Sequence, residues 1–161
     1  MHSAERVEGT IRQWRNLVLL ALAELLGMTL WFSSSAVGPS IQDDWDLSSA
    51  SAAGLIMAVQ IGFVVGTFTS GIFNLPDRIS SRKLFAISVA LGAVSNICFT
   101  TIADGLSTGI VFRFITGIFL AGVYPPGIKI AASWTQKHRG VAVGLLVGAL
   151  TIGSASPHLI R

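Results

Sequence analysis

The segment NLPDRISSRKLF, residues 74–85, sets four charged side chains close together between two long apolar runs. No charged residue lies between Asp46 and Asp77, and none lies between Lys83 and Asp104. Each uncharged run is long enough for a membrane-spanning helix, which needs about 20 mostly apolar residues. The segment is therefore interpreted as a short turn between two spanning helices.

The composition of the whole chain agrees with a membrane protein. Of its 161 residues 52% are hydrophobic and 12% charged, and the mean hydropathy is +0.69, whereas soluble domains carry about a quarter charged residues. The net charge of +3 does not indicate nucleic-acid binding, because no basic face of a folded domain is visible. A single cysteine, Cys98, permits neither an internal disulfide nor a cysteine metal cluster.

Five runs are apolar enough to span a bilayer, and none alternates as a membrane β-strand would. They lie at about 16–37, 50–75, 84–103, 106–128 and 140–160. The predicted fold class is an all-α polytopic helical bundle with five transmembrane helices. The first run has an alternative interpretation as a signal peptide cleaved near 33–36, but its length and the four later spans favour an uncleaved helix.

The basic residues predict the orientation of the bundle. About nine of the eleven Lys and Arg residues precede the first span or lie between spans two and three or four and five. The loop at about 38–50 contains Asp43, Asp44 and Asp46 but no basic residue. By the positive-inside rule, residues 1–15 form a cytoplasmic N-terminal tail, and we expect a multi-pass protein of the plasma (inner) membrane.

The turn at 74–85 also carries a family resemblance. Asp77–Arg78 followed by the basic pair Arg82–Lys83, between helices two and three, resembles the signature loop of the major facilitator superfamily. Phe73 and Ser80 stand where that motif has glycine. In the family this loop is a cytoplasmic latch whose acid contacts a helix of the other half. The resemblance implies that Asp77 is that acid and that Asp77, Arg78, Arg82 and Lys83 form the latch loop.

Two further motifs lie in the corresponding spans. Arg113 and Gly117 resemble the Arg-x-x-x-Gly element of the family's fourth helix, and the fifth run resembles the glycine-rich motif of proton-coupled antiporters. The glycines of that motif are Gly144, Gly148 and Gly153, while Ala149 and Ile152 depart from it.

The resemblance implies a secondary carrier working by alternating access. Residues 16–161 would be an incomplete N-terminal half of six helices. The sixth helix and the C-terminal half of the same polypeptide would then be the missing partners.

Two charged residues, Glu24 and Arg113, lie well inside the predicted spans. Charges inside a membrane usually face protein or water and carry function. At 1.5 Å per residue both lie near the bilayer midplane, where they could meet. Two interpretations stay open. One is a buried ion pair that only fixes packing. The other is a central cavity in which Arg113 contacts an anionic substrate group and Glu24 carries a proton.

Other polar and small residues are weaker candidates. Gln60 and Tyr124 are assigned to the substrate and proton pathway, with interhelical hydrogen bonding as the alternative for Gln60 and for Asn96. Pro125 and Pro126 should kink or end span four. Close helix packing or gating is expected at the small and proline positions Gly62, Gly66, Gly117, Gly144, Gly148, Gly153, Pro125 and Pro126.

The predicted function is transport of a small solute, with an organic anion preferred because of Arg113, coupled to protons. The alternative is a non-transporting membrane scaffold or a subunit of an oligomeric channel. An enzyme is not expected, since the chain lacks paired membrane aspartates, a His-rich metal set and a Ser–His arrangement. No cofactor and no metal are predicted, and the pattern leaves symport, antiport and uniport open.

Overall fold

The computed structural model of the protein describes residues 2–134 and 139–159, and this part is a bundle of helices joined by short turns without a β-strand. The helices are α1 His2–Ala36, α2 Gly38–Asp44, α3 Ser49–Ile72, α4 Leu75–Arg78, α5 Ser81–Thr101, α6 Leu106–Leu120, α7 Tyr124–Trp134 and α8 Arg139–Leu159.

Four segments of the described chain are long and apolar enough to cross a membrane: Arg12–Asp44, Ser49–Ile72, Ser81–Thr101 and Leu106–Trp134. These segments correspond to the first four predicted spans, and the predicted all-α membrane fold is confirmed. The fifth predicted span coincides with the 21-residue helix α8. The crossing of the bilayer by α8 stays a prediction.

Several predicted boundaries differ from the observed ones. Helix α1 begins at His2, so most of the predicted tail continues the first spanning helix. Residues predicted as an outer loop include the short helix α2. The end of span two was assigned to Pro76, but α3 already ends at Ile72. Asn74, with a φ of 49°, turns the chain through the left-handed region, which asparagine tolerates better than most residues.

The predicted fourth span is two helices rather than one. Pro125 and Pro126 have no backbone N–H, so the carbonyls of Ala121 and Gly122 receive no helical bond from them. The chain tightens instead, and Gly122 N donates to Phe119 O at 2.9 Å. Helix α7 then starts with both prolines in its first turn, where the missing donors are not needed.

Helices α3 and α6 cross with their backbones in close contact. A Cβ placed on Gly62 would lie 2.1 Å from Phe114 O, and one placed on Gly117 would lie 2.1 Å from Val59 O. Glycine is required because backbone meets backbone there, as is common where membrane helices pack tightly. Elsewhere α1 packs on α8, and α5 packs on α6 and α7.

Two apolar clusters form the core of the bundle. The first joins α1, α7 and α8 through Leu17, Leu20, Ala21, Ile130, Ala131, Ala142 and Leu146. The second joins α1, α3, α6 and the break between α6 and α7 through Met28, Val59, Leu120 and Val123. Helix α1 takes part in both clusters, and the candidate site lies along it.

Candidate functional site

The guanidinium of Arg113 is held by the carbonyl end of α1. Arg113 is fully buried. Its Nη1 donates to Leu30 O at 3.0 Å, and its Nη2 donates to Trp31 O at 2.7 Å. Nη1 also lies 3.0 Å from Ser33 Oγ and 3.2 Å from Asn96 Oδ1. The charge is therefore compensated by oxygen atoms from α1 and α5, within the bundle.

Sequence reasoning did not identify Ser33 as part of this site. Its hydroxyl oxygen lies 2.9 Å from both Leu30 O and Asn96 Oδ1, so it links α1 to α5 beside the guanidinium. The available signal was the run of three serines at 33–35 inside an apolar span. Asn96 thus makes interhelical hydrogen bonds, the alternative that the sequence left open for it.

The face of Phe99 borders the arginine, with the Arg113 Cζ atom 5.7 Å from the ring centroid. Within the described residues Arg113 Nε has no hydrogen-bond partner. Two N–H groups of the guanidinium, the one on Nε and the second one on Nη2, are thus left for another group. These two donors are the capacity that Arg113 keeps for a direct contact with an anionic ligand.

Glu24 is buried in a different environment. It has no exposed surface, and neither carboxyl oxygen has a hydrogen-bond partner in the described part of the chain. It packs on the first turns of α7, where a Cβ on Gly127 would lie 2.3 Å from Glu24 Oε2. One turn to either side on α1, Ala21 and Met28 belong to the two apolar clusters. Among the described residues, a negative charge here has no hydrogen-bond partner in this conformation.

The structure does not bring Glu24 and Arg113 together as an ion pair. The described residues contain one salt bridge, and it lies at the surface. Arg113 contacts α1 at Leu30 and Trp31, which are six and seven residues beyond Glu24 and so about 9–11 Å farther along the helix. The depth estimate placed both residues near the midplane, but depth alone does not fix which residues of α1 lie opposite Arg113.

The other two pathway candidates lie apart from this site. Gln60 is on the exposed face of α3, and its side chain makes no hydrogen bond to Glu24 or Arg113. Tyr124 is the first residue of α7 and is partly buried. A polar side chain on an outer face at membrane depth faces lipid, water or further protein, and lipid is the least favourable of these.

Glycines of α8 line a groove rather than a tight helix contact. A Cβ on Gly144 or Gly148 would meet nothing within 4 Å. Both residues border an apolar groove of about 330 Å³ between α1 and α8, with Val18 and Leu22 on its other wall. Gly153 lies farther along α8, where side-chain packing is outside the described part. Gly66, in contrast, lies at the α3–α6 crossing, where an added Cβ would be 2.6 Å from Ile118 O.

The charged turn at 74–85 is held by a residue that sequence reasoning missed. Lys129 Nζ of α7 lies 3.0 Å from Asp77 Oδ1 and donates to Pro76 O at 3.0 Å. Asp77 remains 75% exposed, which leaves most of its carboxylate open to further contacts. The signal was present, because Lys129 is one of the basic residues between predicted spans four and five, which the charge distribution places on the same side as the turn.

A second contact ties the other end of the turn to the same helix. The guanidinium of Arg82 lies over the ring of Trp134, with Cζ 5.5 Å from the centroid. Arg78 and Lys83 are exposed. Ser80 takes the N-cap position of α5, although its side chain makes no capping hydrogen bond. The four charged residues of the turn therefore divide into two that contact α7 and two that face solvent.

The described side chains contain no group of three or more His, Cys, Asp or Glu residues that could hold a metal ion. What the site offers instead is a compensated buried cation on one level of α1 and an uncompensated buried acid on another. Such a pair suits binding and charge movement within a membrane.

Comparison with known protein families gives one match that covers most of the chain. The model of the Major Facilitator Superfamily matches residues 19–156. This range includes predicted spans two to four, the turn at 74–85 and most of spans one and five.

Curated proteins similar to this chain are transporters by name. A probable galactarate/D-glucarate transporter of Pseudomonas putida is 29% identical over 83% of this chain and 30% of its own length. A gallate transporter of the same species is 26% identical over 88% of the chain and 31% of its own length. A D-galactonate transporter of Escherichia coli is 26% identical over 89% of the chain and 33% of its own length. The chain thus spans about a third of each relative.

Proposed function

This chain belongs to the Major Facilitator Superfamily, and we propose that it forms the first part of a proton-coupled secondary carrier for small organic anions. Alternating access would move the two halves of such a carrier around a site near the bilayer midplane. The sixth helix and the second half would come from the rest of the same polypeptide. We place the N-terminus in the cytoplasm and the protein in the plasma (inner) membrane, on the distribution of basic residues.

The observation that carries the proposal is the buried and unpaired carboxyl of Glu24. Burying an ionised carboxylate without a partner is costly, so the neutral acid is the form that suits this conformation. A conformation that opens Glu24 to water or to a polar partner would favour release of the proton. A group whose proton affinity differs between two conformations couples proton movement to their exchange.

Arg113 has a different role in this proposal. Its contacts with Leu30 O and Trp31 O fix the outer part of α1 against α6. We propose that Arg113 holds α1 in register and shapes the site, while its Nε–H and the second N–H of Nη2 are the donors left for an anion. Support for an anionic substrate comes mainly from the relatives, whose names specify carboxylates.

Uptake by the intact protein in liposomes tests the proposal. The substrates are labelled galactonate, glucarate and gallate, supplied with and without an inward proton gradient. We expect uptake of at least one of them above protein-free liposomes, and faster uptake with the gradient. Failure of every carboxylate to enter would reject the organic-anion carrier.

Glu24→Gln tests the proton step separately. It keeps the size of the side chain but cannot exchange a proton, so stimulation by the gradient should disappear while substrate exchange between the two sides continues. The matched control is Asp43→Asn, at an exposed acid of α2, which should keep the stimulation. Normal stimulation in Glu24→Gln would remove Glu24 from the coupling mechanism.

A further inference from the structure

Helix α7 contacts the buried acid and the cytoplasmic turn at positions only two residues apart. Gly127 packs directly on the carboxyl of Glu24. Lys129 pairs with Asp77 and donates to Pro76 O. At the end of the same helix, Trp134 lies under Arg82. One short helix therefore connects a site inside the membrane with the charged turn at its surface.

The contact of Glu24 with α7 has no spare room. A Cβ on Gly127 would lie 2.3 Å from Oε2 and 3.0 Å from Cδ of Glu24, which is closer than real Cβ contacts. A change in the hydration or hydrogen bonding of this carboxyl must therefore move either the side chain or α7. The side chain is fully buried among packed groups, which limits its own movement.

The break before α7 allows the helix to move separately from α6. The last regular bond of α6 runs from Ala121 N to Gly117 O, and the tighter bonds of Gly122 and Val123 follow before α7 begins. The 11 residues of α7 form a rod of about 16 Å. Breaks at proline are where long helices bend, so a tilt of this rod is absorbed at the break.

The tie at the surface adds little to folding stability. Lys129 is 52% exposed and Asp77 75% exposed, and exposed ion pairs contribute about 0–1 kcal/mol. Its geometry is nevertheless specific, because one ammonium group holds both the Asp77 carboxylate and the carbonyl of Pro76. Such a contact orients the turn at 74–85 more than it stabilises the fold.

We propose that α7 links Glu24 mechanically to the turn carrying Asp77, with Lys129 as the positioning residue of that turn. The inference rests on the proposed function only in assigning Glu24 two states. When the carboxyl changes its partners, α7 tilts at the break and Lys129 moves Asp77 with it. The neutral and charged states of a buried group would then be sensed at the cytoplasmic face.

A cysteine reporter in the turn tests this link without measuring transport. Ser80 is exposed and makes no capping hydrogen bond, so Ser80→Cys removes no contact. The reporter is placed in the intact protein, in membranes, with Cys98 and any other cysteine replaced. Its labelling rate by a membrane-impermeant maleimide is compared for wild type, Glu24→Gln, Lys129→Met and the double variant.

We expect Glu24→Gln to change the labelling rate by about twofold or more, the size of coupling that such networks carry. Lys129→Met should abolish this response, and Lys129→Arg should restore it. Arg15→Met, at an exposed basic residue on the predicted cytoplasmic side, should leave the response intact. A Lys129 that is only structural would alter the starting rate but not the response to Glu24→Gln.

Equal responses to Glu24→Gln with and without the Lys129 ammonium group would overturn the proposal, as would no response at all. Gly127→Ala provides a second lever, because it presses on the same contact from the α7 side. Gly127→Ala should change the labelling rate when Lys129 is present but not in the Lys129→Met variant. The control Gly54→Ala, with open space around its Cβ, should leave the labelling rate unchanged in both. Uptake assays fail or succeed independently of this readout, so loss of the carrier function and loss of the link are distinguishable.

Discussion

Replacement of Gly62 by alanine should separate α3 from α6 and destabilise the bundle. The new Cβ would lie 2.1 Å from Phe114 O, and moving it to an ordinary contact of 3.4 Å requires the helices to part by about 1.3 Å. The neighbouring atoms belong to the backbone of α6, so no side chain can rotate away. Overpacking of this kind costs about 1–3 kcal/mol.

The matched control is Gly54→Ala on the same helix. A Cβ there meets nothing within 4 Å. Both variants gain the same helix propensity, up to about 1 kcal/mol, so their difference isolates the steric cost at the crossing. We expect Gly62→Ala to unfold about 2 kcal/mol more easily than Gly54→Ala, within the overpacking range.

The assay is reversible unfolding of the intact protein in mixed micelles, followed by tryptophan fluorescence. Trp31 contacts Phe63, next to Gly62, with ring centroids 5.1 Å apart, and so reports on this region. Equal stability of the two variants would refute the close crossing of α3 and α6. It would also remove the argument that glycine is required at Gly62.

Three further predictions use the same unfolding assay. Arg113→Met should lower the free energy of unfolding by about 2 kcal/mol, because it removes four polar contacts worth roughly 0.6 kcal/mol each in a membrane. An unchanged stability would contradict the stabilising contacts of Arg113 with α1 and α5. Lys129→Met should lower the free energy of unfolding by less than about 1 kcal/mol, because its ion pair is exposed. A larger loss would show that the contact stabilises the fold. Asn74→Val should cost about 1–2 kcal/mol through left-handed strain, whereas Asn74→Gly should not; equal losses would count against the observed turn.

Much of the fold follows from local patterns in the sequence. The four described spans and the charged turn at 74–85 were predictable because apolar length and charge position are properties of neighbouring residues. The break before α7 was signalled by Pro125 and Pro126, since missing donors act within one turn. The end of α3 was assigned to Pro76 instead of Asn74, because a left-handed residue leaves a weaker signal than a proline.

The candidate site was predictable only in part. Its two buried charges, Glu24 and Arg113, stand out in any apolar run. The partners of Arg113 do not, because Leu30 and Trp31 contribute carbonyl groups that every residue possesses. Which carbonyl meets a guanidinium depends on how α6 packs on α1, and that is a property of the whole bundle.

The sequence by itself therefore determined a helical membrane protein with a charged turn and two intramembrane charges. Only the tertiary structure decided that Arg113 is compensated, that Glu24 is not, and that Lys129 joins Asp77 to α7. The physical reason is the separation along the chain between the residues that interact. Hydropathy and helix breaking act between neighbours in the chain, whereas the bonds of Arg113 to Leu30 and of Lys129 to Asp77 join residues more than fifty positions apart.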